Sequence, residues 1–110
     1  MRDDYVISIH QKVMNFINRH TLNGKREQVI ECFTCGCCYW FARTLMERFA
    51  GEFPVLMYAE VDNHFGCGID GEVYDITGNV TNQYKWCKWA KFRAREPKVA
   101  EQIEYNCMNF

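Results

Sequence analysis

His64-Phe65-Gly66-Cys67-Gly68-Ile69-Asp70-Gly71-Glu72-Val73-Tyr74-Asp75 reads as two β-strands joined by a two-residue turn. Asp-Gly between strand-forming residues is the strongest short-range hairpin signal, because both turn positions need a positive φ. With Asp70-Gly71 at the tip, Ile69 faces Glu72, Gly68 faces Val73, Gly66 faces Asp75 and His64 faces Thr77. Paired residues point to the same side of a sheet, so His64 and Asp75 share a face as diagonal neighbours, with Cα atoms roughly 7–8 Å apart. An imidazole and a carboxylate span that gap with a hydrogen bond. Gly66 and Gly68 lie on the same face and carry no side chain, which predicts room beside the imidazole for a helix end and a substrate. Phe65, Cys67, Ile69, Tyr74 and Ile76 form the opposite, apolar face, expected to take the remaining helices.

Upstream, Thr34-Cys35-Gly36-Cys37-Cys38-Tyr39-Trp40-Phe41-Ala42 opens an apolar helix that runs to about Phe49, with Thr34 as its N-cap. Cys38, Ala42, Leu45 and Phe49 fall on one stripe, so Cys38 points the way of residues that pack on the sheet. The first turn of a helix, with its unpaired N–H groups, favours a thiolate. Cys37 is turned about 100° away by the helical period. Before this helix, Asp3 and Asp4 stand where a cap belongs, and Val6, Ile9, Val13, Phe16 and Ile17 recur at helical spacing to about His20, with Gly24 as the stop. Residues 28–32 are too short a stretch to assign to helix or strand. Val55–Val61, Asn63–Ile69 and Glu72–Thr77 are three expected strands. Lys85–Arg93 is an expected helix, and Pro97 opens a last one with an apolar stripe of Val99, Ile103 and Cys107. The order α-α-β-β-β-α-α describes an α+β fold, a small antiparallel sheet against a capped central helix, in one domain over residues 1–110.

Composition limits what such a domain does. Across 110 residues, hydrophobic types make up 48% and aromatics 15%, enough for a genuine core. A net charge of −1 argues against general affinity for nucleic acid or an acidic membrane. No apolar run approaches a bilayer span and the N-terminus has no signal-peptide pattern, so a cytoplasmic location is expected. Seven cysteines is an odd number, which does not fit a closed disulfide framework. Cys67, Cys87 and Cys107 stand alone and read as small buried hydrophobes. Cys32, Cys35, Cys37 and Cys38 crowd together, and chemistry is expected there.

Cys38, His64 and Asp75 then supply, in chain order, a thiol nucleophile, a base and an acid to orient the base. Gly36-x-Cys38-x-x-x-Ala42, followed by His64 heading one strand and Asp75 on the next, resembles the papain-like superfamily in its transglutaminase-like branch. Bacterial cell-wall cysteine peptidases are cousins, and small bacterial and phage proteins carry a similar Cys-Tyr-Trp-Phe-Ala helix. The resemblance spans Cys35 to Gly78. It implies a papain- or transglutaminase-like core with Cys38 as nucleophile, His64 as base and Asp75 as orienter. It also implies a protein or peptide amide as substrate and needs neither cofactor nor metal. A phage-encoded chain of this kind would work in its host's cytoplasm. The backbone N–H of Cys38 is one expected oxyanion donor; no side chain of the matched stretch offers a second.

Other readings compete. The same fold without activity would serve as a protein-interaction module, such as a phage-encoded inhibitor. Cys35-Gly36-Cys37-Cys38 is itself a Cys-x-x-Cys at a helix start, the arrangement of thiol-redox proteins, but it leaves the His64–Asp75 pairing unexplained. Cys32, Cys35 and Cys38 have zinc-ligand spacing without the second pair that a structural site needs. Lys85, Lys88, Lys91, Arg93 and Arg95 read as a solvated basic face, and less readily as a dock for an acidic partner or nucleic acid.

Overall fold

The computed structural model describes residues 7–20 and 38–108. The expected caps at Asp3, Asp4 and Thr34, the segment 28–32, and Cys32, Cys35, Gly36 and Cys37 lie outside the described residues. Four α-helices and a five-stranded antiparallel sheet form an α+β architecture over the residues described.

Helix α1 spans Ile9–His20, and Ser8 caps it, its hydroxyl accepting from the Gln11 N–H at 3.1 Å. The helix therefore starts later than a cap at Asp3–Asp4 would place it. Val13 and Ile17 are its buried positions. Helix α2 spans Cys38–Arg48 and buries Cys38, Phe41, Ala42 and Leu45, with Tyr39 beside them. Phe49 follows on the same stripe, also buried, its N–H closing the last turn onto the Leu45 carbonyl at 2.9 Å. A 3-10 turn, Ala50–Glu52, leads to β1.

The strands are β1 Val55–Ala59, β2 His64–Ile69, β3 Glu72–Asp75, β4 Gly78–Asn79 and β5 Cys87–Lys88, in the spatial order β4-β3-β2-β1-β5. The hairpin register is the one the Asp-Gly turn dictates: Ile69 pairs with Glu72, Gly68 with Val73 and Cys67 with Tyr74. Asp70 and Gly71 take φ of 49° and 83°, the doubly left-handed turn whose twist matches that of the strands it joins. Strand β1 stops at Ala59, short of Val61, because a turn over Glu60–Asn63 reverses the chain into β2.

Two expectations fail after β3. A helix from Lys85 does not form: Cys87 and Lys88 pair with Tyr58 and Met57 as a fifth strand, and helix α3 begins only at Trp89, spanning Trp89–Arg95. Pairing along the open edge of β1 satisfies backbone groups that would otherwise be left bare, and this outweighs local helical preference. Helix α4 spans Pro97–Met108, with Pro97 at its first position as expected. Its buried residue is Ala100, with Ile103 and Cys107 packed on the core, whereas Val99 is half exposed and leaves the stripe.

The two faces of the sheet are covered differently. Phe65, Cys67, Ile69, Tyr58, Tyr74 and Ile76 share one buried cluster with α1, α2, Trp89, Phe92 and Ala100. Tyr39 of α2 packs edge-on against Phe65 with ring centroids 5.1 Å apart, and Trp89 lies 5.0 Å from Phe65. Helix α2 therefore covers the Phe65 face and not the glycine-lined face predicted for it. The glycine-lined face is filled by Trp86: a Cβ on Gly66 would stand 3.0 Å from the Trp86 indole and 2.7 Å from Val73 Cγ1. Gly68 is backed in the same way by Met57 at 3.2 Å. Gly66 admits an aromatic ring and Gly68 a thioether, both from the chain itself.

Candidate active site

His64 is the first residue of β2, opposite Ala59 of β1. Asn63 before it adopts φ 48°, a left-handed conformation that Asn tolerates better than most residues, and its side chain accepts from the Tyr58 hydroxyl at 2.7 Å. That anchored turn aims His64 into the face it shares with Asp75, the last residue of β3.

His64 Nε2 lies 2.7 Å from Asp75 Oδ2, as the hairpin register requires. The other carboxylate oxygen, Oδ1, accepts from the Thr77 backbone N–H at 2.8 Å and from the Thr77 hydroxyl at 2.5 Å. Asp75 thus caps the turn after β3 and orients the imidazole at once, and both of its oxygens are engaged. His64 and Asp75 are the only polar or charged side chains in the buried set among the described residues, 6% and 4% exposed. At that burial a charged pair persists only when each member is hydrogen-bonded.

Cys38 completes the group. It is a free thiol, 7% exposed. With Nε2 committed to Asp75, Nδ1 is the ring nitrogen left to exchange a proton with sulfur. Burial alone would depress the His64 pKa. The hydrogen bond to Asp75, then a hydrogen bond and the charge interaction with Cys38, then the charge of Asp75, reverse the effect and push it up to about 9. The three residues singled out by spacing therefore act on one another, although α2 lies on the other side of the sheet from the glycines. Helix α2 packs on β2, and Cys38, the first residue of that helix, acts electrostatically on the ring that heads the strand.

Two further residues belong to this site and were not legible as such. The Tyr84 ring lies 4.9 Å from the His64 ring and tilted by 33°, and the Trp86 ring lies 6.0 Å away. Trp86 donates its indole N–H to the Val80 carbonyl at 3.1 Å, which fixes the ring over Gly66. Two electron-rich faces against an imidazole favour its cationic form. The signal that pointed to them was the strand-like alternation Tyr84-x-Trp86 opposite a bare glycine face, hidden by reading the segment as helix.

Of the three lone cysteines only Cys67 is buried as expected, whereas Cys87 and Cys107 are partly buried against the core. Cys67 is fully buried, and burial pushes its thiol up to about 12. Cys107 is raised to about 11, by burial first and then by Cys38 and Glu104. Among the described residues no group of three His, Cys, Asp or Glu is placed to hold a metal ion, and no helix is long and apolar enough to cross a membrane. Compared with protein-family models, curated proteins and solved structures, the chain matches none.

Proposed function

We propose that this chain is a thiol acyl-transfer enzyme, a hydrolase or acyltransferase of papain-like, transglutaminase-like type. The observation that carries the reading is the buried 2.7 Å hydrogen bond from His64 to Asp75, on a ring that Cys38 also engages. An imidazole pushed up to about 9 binds a proton readily, so His64 takes the proton that Cys38 gives up as its sulfur becomes the nucleophile. The sulfur attacks a carboxamide or ester carbon, forming a C–S bond and a tetrahedral oxyanion, for which the Cys38 backbone N–H is one donor. Collapse breaks the C–N or C–O bond, and the His64 proton passes to the leaving amine or alcohol. His64 then deprotonates water or an amine, which attacks the thioester, and the thiol is restored. Asp75 keeps Nε2 occupied throughout, so that Nδ1 is the nitrogen that carries the proton.

A catalytically silent module with the same fold is the second reading, favoured by Tyr84 and Trp86 lying across the ring of His64. Incubation with p-nitrophenyl acetate separates the two. Enzyme chemistry gives a release burst with one acetyl group on Cys38 by mass spectrometry, which His64→Ala slows by about 100-fold or more. No acetylation of Cys38, or acetylation at equal rates in both proteins, would exclude the acyl-transfer reading.

A further inference from the structure

We infer that the concavity between α1 and the end of α2 binds a small phosphorylated molecule. It has a volume of about 440 Å³, within the range of small-ligand sites, and none of Cys38, His64 or Asp75 lines it. The inference stands independently of the acyl-transfer chemistry.

Helical spacing places Lys12, Asn15 and Arg19 of α1 along one wall, and Arg48, Phe49 and Glu52 supply the other. Three cations thus face one carboxylate, in a molecule whose net charge is only −1. Among the described residues none of these cations is engaged in an ion pair, although Arg93 and Arg95 elsewhere on the surface both are. Asn15 is oriented as well: its side-chain oxygen accepts from the Gln11 amide at 2.9 Å, which leaves its own amide hydrogens to donate.

Arg48 identifies the ligand's chemistry. Its guanidinium lies over the ring of Phe49 at 5.1 Å and that of Phe16 at 5.7 Å, and those two rings meet edge to face. The two rings hold the guanidinium by its charge, and among the described residues its N–H groups make no ion pair. A guanidinium fixed in this way matches the oxygens of a phosphate two at a time. Lys12 and Arg19 add charge for a second phosphate, and the apolar ring of Phe49 is a floor for an organic portion.

Inorganic pyrophosphate is the probe, titrated into the full chain at physiological ionic strength by calorimetry. Saturable one-to-one binding is expected, weakened about tenfold or more by Arg48→Gln and by Arg19→Gln. Lys91→Gln, at an exposed cation away from the concavity, should leave it unchanged. Arg19→Gln keeps the test valid if Arg48→Gln fails to fold, because Arg19 is exposed and, among the described residues, makes no stacking contact. Absence of saturable binding, or an equal loss in Lys91→Gln, would overturn the inference; the second result would mean that general surface charge attracts the anion.

Discussion

Asp75 carries two duties: capping the turn before Gly78 and orienting a histidine. Its two oxygens divide the work, Oδ1 to Thr77 and Oδ2 to His64. The pair has a consequence for stability. The folded pKa of His64, about 9, lies above the ordinary 6.5, so protonation favours the folded state. That contribution is complete below pH 6.5 and is lost as pH rises through 9, a loss of about 1–3 kcal/mol. Denaturant melts at pH 6 and pH 10 should show it, and Asp75→Asn should flatten the difference. A wild-type stability that rises across this interval would contradict the sign.

At the scale of elements, the hairpin was legible because its turn chemistry is local. Asp70-Gly71 fixes the register, and the register fixes which residues share a face. The strands β4 and β5 were not legible, since each is two residues long and exists only by pairing with a neighbour. In the helix expected from Lys85, Trp86 and Trp89 would share a face, yet Trp86 covers the glycine side of the sheet and Trp89 enters the core on the other. The two glycine roles can be told apart. Gly71→Ala has open space around the new Cβ and meets only the backbone penalty at φ 83°, about 1 kcal/mol. Gly66→Ala drives a Cβ to 2.7 Å from Val73 and 3.2 Å from the Tyr74 carbonyl, and should cost about 1–3 kcal/mol. It should also disturb the fluorescence of Trp86, which Gly71→Ala should not. Equal losses and unchanged emission in both would remove the close-packing account of Gly66.

Over the whole molecule, distant parts are tied together by a few polar links placed at the rims of the core. His10 of α1 bonds the Tyr74 hydroxyl and lies 3.2 Å from Asp70 of the hairpin. Trp40 of α2 donates to the Cys107 carbonyl of α4 at 2.8 Å, and Trp89 of α3 donates to Glu104 of α4 at the same distance. None of these links follows from periodicity, because each joins residues that only the assembled layers bring together. The placement of α2 is the sharpest case. Its apolar stripe was evident, but not which side of the sheet would receive it, since a glycine face and an aromatic face both offer a surface. Trp86 occupies the first, so α2 takes the second, and Cys38 meets His64 at the strand's end. That meeting is the claim on which the rest depends. An NMR titration of the His64 ring tests it most directly. The ring should titrate near pH 9 in the native chain, and at clearly lower pH in Cys38→Ala with the fold intact. Titration near 6.5 in the native chain, or a value that Cys38→Ala leaves unmoved, would contradict it.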